Sequence, residues 1–125
     1  MFSPSAQKSI LIIEPNLKQS KPYSLLDQKI FKLTSVSNCL AANAELQKEN
    51  FDLVFLSCSF SNKKLLSFLE SLKQASKKEI IPLILVVDLG QPYSIVPGIS
   101  WDNKIGLLSS QSSEKELAAN LARLL

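Results

Sequence analysis

Residues Phe51 to Phe60 read FDLVFLSCSF, and this stretch decides the fold. Leu53 to Leu56 is an unbroken apolar run, opened by Asp52 and closed by Ser57, Cys58 and Ser59. A short apolar run with polar punctuation at both ends is the pattern of a central strand covered on both faces. In open α/β sheets the carboxyl ends of such strands carry the chemistry, so the residue that closes this one matters most. That residue is Ser57, a hydroxyl with no activating neighbour in the sequence.

Similar runs lie on either side. Lys8 to Ile13 (KSILII) predicts a buried strand that stops abruptly at Glu14-Pro15-Asn16, and the preceding residues 1–7 read as a polar, flexible lead-in. Pro22 suits the first turn of a helix, and Tyr23, Leu26 and Ile30 give it helical spacing. Phe31 to Val36 is a more polar strand and so belongs at an edge. Ser37 or Asn38 caps a second helix running to Glu49. Ser61 or Asn62 caps a third, with Leu65, Leu66, Phe68, Leu69 and Leu72 as one apolar stripe. Ile80 to Val87 is a buried strand that tolerates Pro82 near its start. From Asp88 to Asn103, Gly90, Pro92, Pro97 and Gly98 interrupt any helix. Lys104 to Leu108 predicts the last strand, and Ser113 with Glu116 forms a capping box that opens a final helix through Leu117, Leu121 and Leu124.

These units alternate strand and helix, which implies a parallel sheet with right-handed crossovers and helices on both faces. The expected architecture is one α/β domain over residues 1–125, a flavodoxin-like three-layer sandwich of five parallel strands in the order 2-1-3-4-5. Its fourth helical slot is replaced by, or reduced to, irregular loop.

Composition narrows the chemistry. The 125 residues are 46% hydrophobic and 20% charged, the balance of an ordinary globular domain. No apolar stretch approaches the ~20 residues of a membrane helix, and the start lacks a secretory layout, so a cytoplasmic location is expected. Cys39 and Cys58 then read as reduced thiols in apolar surroundings. The net charge of +3 is spread over many lysines and one arginine without aromatic interleaving, which points to a solvated surface and not to direct nucleic-acid binding. The chain contains no histidine. That excludes Ser-His-Asp and Cys-His catalysis, phosphohistidine chemistry and histidine-ligated metals within it.

ILIIEPN, then FDLVFLS, IPLILVV and IGLLSSQSSEKEL together resemble a response-regulator receiver (CheY-like) domain over nearly the whole chain. In that family the first strand ends in paired acidic residues that hold Mg²⁺. The third ends in the phosphoacceptor aspartate, the fourth in Ser or Thr, and the fifth in a lysine followed by proline. Position by position the resemblance puts Glu14 and Pro15 at the acidic pair, Ser57 at the phosphoacceptor, Val87 at the Ser/Thr, and Ser110 with Gln111 at the Lys-Pro. Phosphoryl transfer needs a carboxylate nucleophile, a cation held by more than one carboxylate, and a positive charge on the departing phosphoryl oxygens. Four altered positions leave Glu14 as the one plausible survivor, so the resemblance implies a pseudo-receiver with no catalytic residue, metal or cofactor.

It also implies how such a domain works. In the family, output and dimer contacts fall on the fourth helix, fifth strand and fifth helix. Here the candidate interaction surface is Tyr93, Ile95, Trp101, Lys104 and Leu107, with aromatic anchors in an irregular segment as interfaces favour. The expected partner is a protein of a two-component or phosphorelay-type pathway, a histidine kinase, an effector or another signalling protein, with a homodimer among the assemblies. The alternative is a sensor for an apolar or redox-active small molecule under the 88–103 loop. Residual phosphoacceptor activity at Ser57 or Glu14 ranks third. Glu14 itself reads as a solvated loop acid.

Overall fold

A computed structural model of the chain describes residues 8–15, 23–58, 62–75, 80–87, 104–109 and 111–125. Five strands form one sheet: β1 (Lys8–Ile13), β2 (Phe31–Val36), β3 (Leu53–Ser57), β4 (Leu83–Val87) and β5 (Ile105–Ser109). Every pairing is parallel and the order is β2-β1-β3-β4-β5. Helices α1 (Cys39–Lys48), α2 (Asn62–Ala75) and α3 (Glu114–Leu124) and a 3-10 turn (Tyr23–Leu25) cover the two faces. This is the expected flavodoxin-like sandwich, with β2 and β5 at the edges.

Strand periodicity divides the core in two. Leu11, Ile13, Val54, Leu56, Leu83 and Leu85 face α1 and α2, where Ala42, Leu65, Phe68, Leu69 and Leu72 meet them. Ile10, Ile12, Leu53, Phe55, Ile84, Val86 and Leu108 face the other way, against Leu26 of the turn region and Leu117 of α3. β3 and β4 are buried at every position, which is why their sequences lack the alternation of a half-exposed strand. Asp52 fixes the start of β3 twice: its amide donates to the Ser9 carbonyl at 2.8 Å, and its Oδ2 accepts from the Ser9 amide at 2.8 Å. A one-residue slip would swap the two faces, so this clamp helps set register.

Helix entries follow the local chemistry. Asn38 Oδ1 accepts from the Ala41 amide at 2.7 Å and so caps α1. The Ser113–Glu116 capping box is complete at the start of α3. Ser113→Ala is therefore expected to cost about 1 kcal/mol, seen as a lower urea midpoint at an unchanged m-value.

Four expectations need correction. No helix spans Tyr23 to Ile30; the 3-10 turn ends where Asp27 takes over, its Oδ1 accepting from the Lys29 amide while its carbonyl accepts from the Ile30 and Phe31 amides. A short side chain bonding its own backbone competes with the helical ladder, and Ile30 ends up exposed. Leu66 is 53% exposed and off the α2 stripe, because it stands about 100° around the helix from Leu65. β4 begins at Leu83, not at Ile80. Pro82 precedes it and contributes only its carbonyl, which accepts from Val54. β5 runs one residue later than expected, Ile105–Ser109. The slot expected to lack its fourth helix, 88–103, lies outside the described residues. No helix among the described residues is long and apolar enough to cross a membrane.

Candidate functional site at the carboxyl edge of the sheet

The parallel sheet brings the ends of β1, β3 and β4 together at one edge, and with them Glu14, Pro15, Ser57 and Val87. Glu14 is not a solvated acid. It continues β1 by donating its amide to the Val36 carbonyl at 3.0 Å, and it is only 5% exposed. Its parity with Ile10 and Ile12 aims it at the face of the 3-10 turn. There the Tyr23 hydroxyl donates to Glu14 Oε1 at 2.9 Å. The Tyr23 ring stands edge-on to Phe55, with centroids 6.0 Å apart at 70°. Burial, reinforced by the Glu14 carboxylate, pushes the Tyr23 phenol far above its ordinary range, so it stays a donor.

Ser57 closes β3 and is buried. Val87 closes β4 and is buried; Pro15 is exposed. Ser110 lies outside the described residues. Beside it, Ser109 donates its amide to Ser112 Oγ at 2.9 Å, and the Ser112 amide donates to the Ser109 carbonyl at 3.1 Å. Among the described residues, the donors assembled here do not fit a divalent cation. One carboxylate that already accepts from a phenol, a buried serine hydroxyl and a valine offer no octahedral oxygen set. Among the described residues no group of three or more Cys, Asp or Glu could hold a metal ion.

Tyr23 is the site residue that sequence reasoning missed. Its spacing from Leu26 and Ile30 suggested a helical stripe, and nothing in a nine-residue separation links it to Glu14. Both cysteines are free thiols against the α1–α2 core. Burial raises the Cys58 thiol to about 11. Burial also raises Cys39, with Lys64 opposing it. The thiolate, not the thiol, reacts with iodoacetamide. Cys39 should be alkylated ahead of Cys58 at pH 8, measured by peptide mass spectrometry.

The candidate interaction surface is only partly within the described residues, since Tyr93, Ile95 and Trp101 lie outside them. Leu107 is 46% exposed on edge strand β5. Lys104 sits at the opposite, amino edge of the sheet, where its carbonyl accepts from the Leu83 amide. With Lys8 and Asp52 it borders a cleft of about 350 Å³. A second groove, of about 380 Å³, lies between Leu25 of the 3-10 turn and Leu117, Ala118 and Leu121 of α3.

No protein-family model and no curated protein sequence matches the chain. Solved structures do. Chemotaxis protein CheY4 of Vibrio cholerae superposes with a TM-score of 0.77 at 15% identity, covering 96% of this chain and 100% of that one. A CheY-like receiver domain from Methylobacillus flagellatus gives 0.71 at 16% identity, over 95% and 99% of the two chains. The receiver domain of a signal transduction histidine kinase from Syntrophus aciditrophicus gives 0.71 at 22% identity, over 94% and 89%. At these identities the likeness establishes the fold: the chain has the architecture of CheY-like receiver domains.

Proposed function

We propose that this chain is a receiver-like signalling module that acts through protein–protein contact, without a phosphoryl group on its third strand and without enzymatic activity. The observation that carries this reading is the state of the carboxyl edge. Ser57 ends β3, and the carboxylate at the end of β1 is buried and bonded to Tyr23. Ser57 offers a hydroxyl where phosphoryl transfer to this edge would need a carboxylate, and the chain has no histidine to act as a base. The fold shared with CheY-like proteins supports a place in a two-component or phosphorelay-type pathway, in the cytoplasm, facing a histidine kinase, an effector or another signalling protein. Input would come as differential affinity of a partner for two states of the domain.

Affinity capture from lysate of the source organism, with wild type and Leu107→Asp as parallel baits, tests this reading. A signalling protein held by wild type and lost by the variant supports it, with β5 in the interface. The same protein held by both keeps the reading and moves the interface elsewhere. Capture by neither favours the second reading, a small-molecule sensor. One observation supports that alternative: the groove between Leu25 and α3 is lined by Leu25, Leu117, Ala118 and Leu121, with Glu114 and Lys115 also on it, and its volume of about 380 Å³ suits a small ligand with an apolar body.

A further inference from the structure

The 3-10 turn has two neighbours. At its first residue, Tyr23 reaches the carboxyl edge and holds Glu14. At its last, Leu25 forms one wall of the groove whose other wall is α3. Only Ser24 separates them, and the turn is closed by the Leu26 amide on the Tyr23 carbonyl at 3.1 Å, which ties its two ends together. Tyr23, Leu25 and Leu121 also pack on the same half of the core, around Phe55 and Leu117. We propose that the turn Tyr23–Leu25 is a latch that couples the carboxyl edge to the α3 groove: with Tyr23 on Glu14 the groove keeps its present width, and release of that bond lets Leu25 move relative to α3.

The physical basis is that packed elements have discrete arrangements, so a bond gained or lost at one end of a rigid turn is felt at the other. Among the described residues the donors at this edge do not fit a divalent cation, and the Tyr23 phenol donates to the carboxylate there. Tyr23 is thus a positioning residue, acting on the groove through the turn. The latch needs no partner protein, so its failure and the failure of the signalling reading are separate results.

Methyl and amide NMR of the full chain tests the coupling. In Tyr23→Phe, which keeps the ring on Phe55 and removes the donor, the Leu26 amide should exchange about five- to tenfold faster, the worth of one hydrogen bond. Methyl resonances of Leu25, Leu117 and Leu121 should shift together, while those of Leu83 and Leu85 on the other face stay in place. Glu14→Gln, which retains a carbonyl acceptor for the phenol, should leave the groove methyls near wild type, and Glu14→Ala should reproduce Tyr23→Phe. If Tyr23→Phe speeds exchange at Leu26 while Leu117 and Leu121 do not move, Tyr23 merely caps the carboxylate and the latch is overturned. Unchanged exchange at Leu26 overturns it too.

Discussion

Phe55→Ala is expected to remove about 3–5 kcal/mol of stability, the largest effect of any single truncation considered. Phe55 is fully buried in the middle of β3, paired with Ile12 on one side and Ile84 on the other. Its ring fills the layer between the sheet and the face made by the 3-10 turn and α3, and it also supports Tyr23 edge-on. Truncation opens a cavity that flanking strands, hydrogen-bonded on both sides, cannot collapse into. A domain of this size has about 5–15 kcal/mol in total, so the variant should sit near its unfolding threshold at 37 °C. Urea unfolding followed by circular dichroism measures it, with Leu107→Ala as a surface control expected within about 0.5 kcal/mol of wild type. A loss below about 1 kcal/mol for Phe55→Ala would mean that this core layer is not packed as described.

Tyr23→Ala should come next, costing about 2–4 kcal/mol from lost ring burial and from depriving a buried carboxylate of a donor. It should also change the alkaline limb of the stability curve. Burial, then the Glu14 charge and hydrogen bond, raise the Tyr23 phenol in the folded chain above its ordinary 10.0. The folded state therefore binds this proton more tightly than the unfolded state. The stability it contributes is complete below pH 10 and is lost as pH climbs above it. Cys58, raised from 9.0 to about 11, adds an earlier loss of the same sign between those values. Stability of wild type should thus fall from about pH 9 upward. Tyr23→Phe should lack the phenol's share, which begins above pH 10, and a Cys58→Ala variant the share lost between pH 9 and about 11. An unchanged alkaline limb in Tyr23→Phe would show that the phenol is not held as the structure has it.

How far the sequence reaches depends on which force sets each feature. β1 spans its apolar run and β2 its more polar alternating one, and the capping box of α3 and the Asn38 cap of α1 are local hydrogen-bond motifs. Such features depend on neighbours in sequence, so they are legible there. The 3-10 turn was not, because Tyr23, Leu26 and Ile30 have helical spacing. The competing bonds of Asp27 and the pull of Phe55 and Glu14 come from elsewhere in the chain. Leu66 illustrates the limit of composition: a leucine beside an apolar stripe still points to solvent if its angle is wrong. At the site, the positions Glu14, Pro15, Ser57 and Val87 follow from the strand ends together with the resemblance to receiver domains. That Glu14 is buried, and that a tyrosine nine residues on is its donor, is tertiary information. The Leu25 groove against α3 likewise needs two segments far apart in sequence, and no periodicity announces it.

A module of the kind proposed takes no phosphoryl group at its carboxyl edge. The most direct measurement is intact mass of the folded chain after incubation with acetyl phosphate and Mg²⁺, beside a CheY-like receiver that keeps its aspartate as the positive control. The expected result is a phosphorylated control and an unmodified chain. A phosphoryl adduct on this chain, mapped to Ser57 or Glu14, would contradict the claim and restore a phosphorylation switch to the domain.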